Sequence, residues 1–236
     1  MAKTNSAGKK KKSEPEIEVD ELFSRSEQFI EKNKKLLIYS VIGIAAIVAI
    51  ILVYHNLYVK PLSAKAETAI FRGQQYFERD SFSLALYGNG LDYEGFEAIV
   101  GQYGSTKTGN LAKAYAGICF YKLGDPQSAI KYLKSYSGND NQFAPRVTGL
   151  IGDCYVSLGD VPEGIKYFEK AASQTEDPNI SPLYLKKAGI AYESLKQYKD
   201  AIRVYTLIKS KYNTSIEASD VDKYIYRAEF LSQNNK

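Results

Sequence analysis

Two stretches of this chain carry closely similar residues in the same order: LAKAYAGICFYKLGDPQSAIKYL, Leu111–Leu133, and RVTGLIGDCYVSLGDVPEGIKYF, Arg146–Phe168, 35 residues further on. In both, a small residue, an aromatic three positions later, a Gly-Asp pair and a second small residue hold the same places. A third copy begins at Leu183, 37 residues after the second, and an earlier one runs over Gly73–Ala85. Self-similarity with a period of roughly 20–50 residues indicates stacked structural repeats.

Each copy has the pattern of two antiparallel helices joined by a tight turn. Glycine ends a helix, aspartate caps the next and proline occupies its first turn, as in Gly124-Asp125-Pro126 and Gly159-Asp160-Val161-Pro162. The recurrent small residues are expected where the two helices touch, because a missing side chain lets backbones approach. They are Gly73, Gly117, Gly152 and Gly189 on the first helices, and Ala85, Ala129, Gly164 and Ala201 on the second helices.

This pattern resembles the tetratricopeptide repeat over about residues 64–213. The resemblance implies an all-α fold, an α-solenoid of about four helix-turn-helix repeats with a C-terminal capping helix. Three departures are visible. Lys196 replaces the turn glycine of the last repeat, Gly164 replaces an alanine, and YGNGLDYEG, Tyr87–Gly95, interrupts the first repeat before its second helix resumes at about 96–103.

Residues 36–54, LLIYSVIGIAAIVAIILVY, contain no charge. As an α-helix this stretch reaches about 28 Å, close to the hydrocarbon thickness of a bilayer. Twelve of its 19 residues are Leu, Ile or Val. At about −0.5 kcal/mol each, they favour insertion by roughly 6 kcal/mol. The sequence therefore predicts one transmembrane helix.

Two other interpretations of this stretch are less favoured. A cleaved signal peptide has an apolar core of about 7–15 residues and a small-residue cleavage site, and the longer core here, after 35 preceding residues, does not fit that pattern. A buried core helix of a soluble protein rarely lacks charge over such a length.

Flanking charges favour one orientation. Nine lysines and arginines precede the apolar stretch within residues 1–35, and three follow it by residue 72. The more basic flank of a membrane helix stays in the cytoplasm. The predicted organisation is a cytoplasmic lysine-rich tail over 1–35, a transmembrane helix over 36–54 and, in a bacterium, a periplasmic repeat domain over 60–236. The capping helix covers about 220–233, with its charges on one face.

The tail itself contains a second periodic segment. From Val19 to Lys35, apolar residues recur at helical spacing. Either an amphipathic helix on the inner leaflet or a helical extension of the membrane span fits this pattern.

Catalytic, metal and cofactor chemistry is not expected. His55 is the only histidine and lies at the membrane boundary, which excludes histidine-based triads and metal clusters. Residues 60–236 hold 22 Lys/Arg and 20 Asp/Glu, so the domain lacks the basic surface that nucleic-acid binding needs. We expect no catalytic, cofactor or metal site, and neither a nucleic acid nor a small-molecule substrate as a partner.

Cys119 and Cys154 hold the same position in consecutive repeats. Stacked helices lie about 8–10 Å apart, which is generally too far for a disulfide. We expect two buried thiols.

A lysine-rich tail, one membrane helix and a repeat domain beyond the membrane together resemble the YfgM-type ancillary subunits of the bacterial SecYEG translocon. The phrases RDSFSLALYGNG, Arg79–Gly90, and GNLAKAYAGICFYKLGD, Gly109–Asp125, resemble a bacterial subfamily of such anchored repeat proteins. The resemblance implies an inner-membrane protein that binds the translocon, a periplasmic chaperone or an emerging secretory client.

Repeat geometry places the expected protein-binding surface in a concave groove lined by the first helices. Mixed charges there suit an extended or helical peptide better than an anionic polymer. The candidate residues are Tyr121, Lys122, Arg146, Asp153, Lys186 and Glu193.

Two alternatives share this architecture. One is a structural scaffold that organises envelope assembly or division machinery, and the sequence does not separate it from a translocon subunit. The other is a receptor of the mitochondrial outer membrane with its repeats in the cytosol. The N-terminal lysine excess and the absence of a basic clamp for acidic C-termini argue against the receptor.

Overall fold

The computed structural model describes residues 30–234, and every regular element within that range is helical. Contacts divide the chain after Tyr58 into two compact units. The α-helices are α1 (Lys34–Tyr54), α2 (Lys60–Glu78), α3 (Phe82–Tyr87), α4 (Phe96–Tyr103), α5 (Lys107–Lys122), α6 (Pro126–Ser135), α7 (Phe143–Ser157), α8 (Val161–Ser173), α9 (Ser181–Ser194), α10 (Tyr198–Lys211) and α11 (Val221–Asn234).

Helix α1 contains the uncharged stretch of the sequence. None of its residues is buried by the described chain. It lies within a helical segment that is long and apolar enough to cross a membrane. A π-helical turn, His55–Val59, follows it, and the rings of Tyr54 and Tyr58 stack there with centroids 5.4 Å apart.

The expected helix over Val19–Lys35 falls mostly outside the described residues.

The second unit is the predicted solenoid of four helical pairs and a cap. The first helices of the repeats are α2, α5, α7 and α9. The second helices are α6, α8 and α10, and in the first repeat the second helix is split into α3 and α4 around the insertion. Consecutive helices pack against each other, and α11 packs on α10 after a short 3₁₀ turn, Glu217–Asp220.

The capping signals predicted from the sequence act as expected. The carboxylate of Asp125 accepts the backbone N–H of Ser128 at 3.0 Å, and that of Asp160 accepts the N–H of Glu163 at 3.2 Å. These bonds satisfy donors that the first turn of a helix leaves without a partner. The pKa of the Asp125 carboxyl lies below its ordinary value, chiefly because of a hydrogen bond with the Ser128 side chain, and the backbone bond from Ser128 adds to this effect.

The turn inside each repeat needs a left-handed backbone. Gly124 and Gly159 both adopt φ +83°, and the corresponding residues of the first and last repeats, Asp80 and Lys196, adopt φ +54° and +59°. A side chain is strained in this region, whereas glycine is not. The turn is therefore kept even where the sequence departs from glycine.

Glycines on the first helices make room for large side chains of the second helices. A Cβ added to Gly117 would lie 2.6 Å from Cγ of Leu133, and one added to Gly189 would lie 2.3 Å from Cε1 of Tyr205. Leu133 and Tyr205 are both buried as a result. The signature residues predicted from the repeat pattern are thus packing residues.

The insertion of the first repeat is an ordered turn organised by Asn89. Its side-chain oxygen accepts the backbone N–H groups of Leu91, Asp92 and Tyr93 at 3.0–3.1 Å, and its amide nitrogen donates to the Tyr76 hydroxyl at 3.0 Å. Tyr93 is buried, and its hydroxyl donates to a backbone carbonyl at 2.7 Å. Tyr93 therefore belongs to the core rather than to a binding surface.

Candidate protein-binding face

The six candidate residues lie on the first helices of repeats two, three and four. Tyr121 and Lys122 end α5, Arg146 lies in the first turn of α7, Asp153 in its second half, and Lys186 and Glu193 lie on α9. We call the surface formed by these three helices the first-helix face.

The structure brings Tyr121 and Asp153 together. Burial raises the pKa of the Tyr121 phenol, and the neighbouring Asp153 carboxylate raises it further, while a hydrogen bond with Ser157 acts in the opposite direction. Both carboxylate oxygens of Asp153 accept the Nζ of Lys187, at 2.8 and 2.7 Å. The Asp153 charge is therefore neutralised within the face.

An apolar cleft of about 280 Å³ opens beside this ion pair, between α7, α8 and α9. Phe168 and Ala191 are buried within its lining. Val156 and Ile190 remain 38% and 47% exposed. Exposed apolar side chains that gather in a recess indicate a place where another molecule can dock.

Lys186 and Glu193 contact the cap. The Nζ of Lys186 donates to Asp220 at 2.7 Å. The Glu193 carboxylate accepts Nε and Nη2 of Arg227, both at 2.8 Å, and the hydroxyl of Tyr205 at 2.7 Å. These two candidates therefore already hold α11 against the fourth repeat.

Arg146 is exposed at the N-terminal end of the same helix that carries Asp153. Between them, the buried ring of Tyr184 lies on Gly149, where an added Cβ would come within 1.9 Å of the ring. The Tyr184 hydroxyl contacts the Arg146 carbonyl oxygen at 3.4 Å. Burial raises the pKa of Tyr184 to about 12, Asp153 adds to this, and Arg146 opposes it.

Lys122 points away from the cleft, with its Nζ 5.9 Å from the centre of the Phe82 ring in the first repeat. It is exposed. The structure therefore does not place Lys122 with the group around Asp153.

Sequence reasoning missed the apolar part of the face. It selected polar residues and tyrosine, whereas the cleft also needs Val156 and Ile190. Each follows directly after a repeat-signature residue, Tyr155 or Gly189. Consecutive residues of a helix point about 100° apart, so an apolar residue next to a packing position can face solvent. Such a residue was the sequence signal that could have indicated the cleft.

Among the residues that the structure describes, no three His, Cys, Asp or Glu side chains are grouped in a way that would hold a metal ion. Cys119 and Cys154 are free and buried, as predicted from their spacing.

Comparison with known proteins agrees with the helical architecture. Family models described as tetratricopeptide repeat match residues 115–139 and 146–178. Two crystal structures superpose on this chain with a TM-score of 0.54 at 11% sequence identity. Both are of nearly identical TPR-like repeats from a protein of Podosopora anserina that is described as a kinesin light chain, and one of the two is a single-residue variant. Each superposition covers 72% of this chain and 88% of the matched chain.

No curated protein matches the chain. The structural likeness, at 11% identity, concerns the fold alone. Two matched segments, the recurring left-handed turns and the superposition lead to one conclusion. Residues 115–139 and 146–178 match the tetratricopeptide repeat, and the second unit is a TPR-like α-solenoid, an architecture that serves as a protein-interaction module.

Proposed function

We propose that this protein is a membrane-anchored binding subunit that acts beside the Sec translocon of a bacterial inner membrane. In this proposal the tail lies in the cytoplasm and the repeats lie in the periplasm. The first-helix face binds the SecYEG translocon, a periplasmic chaperone or an emerging secretory client. It catalyses no reaction.

The apolar cleft is the observation that carries the binding role. Val156 and Ile190 expose branched side chains there, over a floor that includes Phe168, and the Asp153–Lys187 ion pair lies at the edge. Most binding energy at protein interfaces comes from a few apolar anchors in such recesses, surrounded by polar contacts. Tyr121 and Arg146 extend the proposed surface beyond the cleft, whereas Lys186 and Glu193 border it through their contacts with the cap and Lys122 lies toward the first repeat.

The anchor supports the proposed location. Helix α1 offers 21 residues without a buried side chain, and the tail before it is rich in lysine. An apolar helix of this length inserts favourably, and the basic flank stays in the cytoplasm.

Site-specific photo-crosslinking in intact bacterial cells tests the proposed function. Ile190 is replaced by a photoreactive benzoyl-phenylalanine in the full-length chain, and adducts are identified by mass spectrometry. Translocon subunits, a periplasmic chaperone or secretory clients are the expected adducts. The matched control carries the same residue at Lys131, which is exposed on the second helix α6.

Three outcomes would contradict the proposal. Equal adducts from Ile190 and Lys131 would mean that the first-helix face has no binding role. Adducts dominated by division or envelope-assembly proteins would favour a scaffold instead. A protease that cannot cross the inner membrane can be added to inverted vesicles, where it reaches only the cytoplasmic side. Digestion of the repeat domain in that experiment would mean that the topology is the reverse of the proposed one.

A further inference from the structure

Several of the charged candidates on the first-helix face are neutralised by residues about one repeat away in the chain. Asp153 pairs with Lys187, Lys186 with Asp220 and Glu193 with Arg227, each at a separation of 34 residues in the chain. These are three of the five charged candidates, and their ion pairs remove the mixed-charge character that the sequence suggests.

Arg146 and Lys122 have no ion-pair partner among residues 30–234, and of the two only Arg146 lies on a helix that lines the cleft. Its guanidinium is exposed, and the nearest carboxylate on the same face of α7, Asp153, is already paired with Lys187. An unpaired guanidinium presents several N–H donors in a plane, the geometry that binds a carboxylate through two parallel hydrogen bonds.

Arg146 and the apolar cleft lie along one side of a single helix. Arg146, Gly149, Asp153 and Val156 follow each other at intervals of three, four and three residues. At about 1.5 Å rise per residue, Arg146 lies roughly 10 Å from Asp153 and 15 Å from Val156 along the axis. An extended chain covers that distance in about three to five residues, at roughly 3.3 Å each.

The cleft accommodates one large apolar side chain. Its volume of about 280 Å³ lies just below the roughly 300–1,000 Å³ typical of pockets for small-molecule ligands. The exposed part of the lining consists of Val156, Ile190 and the uncharged Ser194, and the ion pair beside them leaves no unpaired charge at that end. An aliphatic or aromatic anchor is therefore favoured over a charged one.

We propose that the first-helix face selects an extended peptide with an apolar anchor in the α7–α8–α9 cleft and an acidic side chain about four residues away, paired with Arg146. This inference rests on the proposed function, because it names the chemistry of the segment that the face binds. Specificity comes from the distance along α7 between Arg146 and the end of the cleft that Val156 lines.

Selection from a random nine-residue library displayed on phage tests this inference. The bait is the full-length protein in detergent micelles. Each peptide is joined to the phage through its C-terminus, so any enriched negative charge belongs to a side chain and not to a terminal carboxylate. The expected result is enrichment of peptides with Leu, Ile or Phe three to five residues from Asp or Glu.

Variants identify the residues involved. Arg146→Glu is expected to weaken the selected peptides at least about tenfold, a loss of roughly 1.4 kcal/mol, and to enrich Lys or Arg in a repeated selection. Ile190→Asp is expected to abolish binding. Lys131→Glu is a matched charge reversal on α6 and should leave affinity unchanged. Thermal unfolding verifies that each variant is folded.

Enriched peptides that lack the acidic residue, or that bind Arg146→Glu as well as the parent, would overturn this inference. If the binding of these peptides still required Ile190, the proposed function would stand and only the role of Arg146 would be wrong. A selection that yields no peptide dependent on Ile190 or Val156 overturns the inference as well. In that case the adducts formed at Ile190 in cells decide separately whether the face binds proteins.

Discussion

Gly152 of α7 and Gly164 of α8 meet where the two helices of the third repeat cross. A Cβ on Gly152 would lie 3.0 Å from the carbonyl oxygen of Gly164, and a Cβ on Gly164 would lie 3.0 Å from that of Gly152. The two backbones are therefore in contact with no side chain between them. Phe168 fills the space beside this crossing.

Gly152→Val is expected to lower the free energy of unfolding by about 1–3 kcal/mol, because the added methyl groups overlap Phe168 and the α8 backbone. Urea unfolding of the full-length chain in mild detergent, followed by circular dichroism, measures this. The control is Gly101→Ala in α4, where an added Cβ meets nothing within 4 Å. It should raise stability by about 0.5–1 kcal/mol. Equal effects of the two variants would argue against close packing at Gly152.

Lys196→Gly is expected to raise the free energy of unfolding by about 0.5–1 kcal/mol. Lys196 holds φ +59° at the turn of the fourth repeat, where glycine stands in the second and third repeats. Glycine adopts this conformation without the steric cost of a Cβ, although its freer unfolded chain offsets part of the gain. Lys131→Gly, in the middle of α6, should lower stability by about 0.5–1 kcal/mol. A lower free energy of unfolding in both variants would contradict the left-handed conformation of Lys196.

Glu193→Ala is expected to destabilise the junction between the fourth repeat and the cap by about 1–3 kcal/mol. The Glu193 side chain is 11% exposed, and its removal leaves Arg227 and the Tyr205 hydroxyl without their acceptor. A double-mutant cycle with Arg227→Ala isolates the pair energy. Removing the exposed Lys166, which pairs with Glu163 within α8, should have no measurable effect. A Glu193→Ala variant as stable as the parent would mean that this pair does not hold the cap.

Cys119 and Cys154 are expected to resist alkylation in the folded protein between pH 7 and pH 9. Burial raises the pKa of both thiols to about 12, so the reactive thiolate is scarce throughout that range. Iodoacetamide labelling followed by mass spectrometry measures the rate, with and without urea. A cysteine placed at the exposed Ser83 should label readily as the pH rises through about 8.5. If Cys119 or Cys154 in the folded protein were alkylated as fast as the cysteine introduced by Ser83→Cys, the burial of the two thiols would be contradicted.

The repeat architecture could be predicted from the sequence because its signals are local. The Gly-Asp-Pro turn ends one helix and starts the next within a few residues, and small residues recur at one period, as at Gly117 and Gly152. The capping bond from Asp125 and the close packing at Gly117 confirm those expectations. The uncharged stretch of α1 is also apparent from composition alone.

The electrostatic state of the first-helix face could not be predicted in the same way. Asp153 and Glu193 stand at suitable positions for binding, yet their partners, Lys187 and Arg227, lie a full repeat away. Whether such a pair forms depends on the rotation and offset with which one repeat stacks on the next.

The sequence by itself determined the type of helices, their number within each repeat and the candidate anchor, because these follow from periodicity and local capping. Only the tertiary structure decided that Arg146 is left without an ion-pair partner among the described residues and that Val156 and Ile190 open a cleft. Burial and charge pairing arise from contacts between helices that are distant in the chain. The stacking of the repeats decides which of those contacts form.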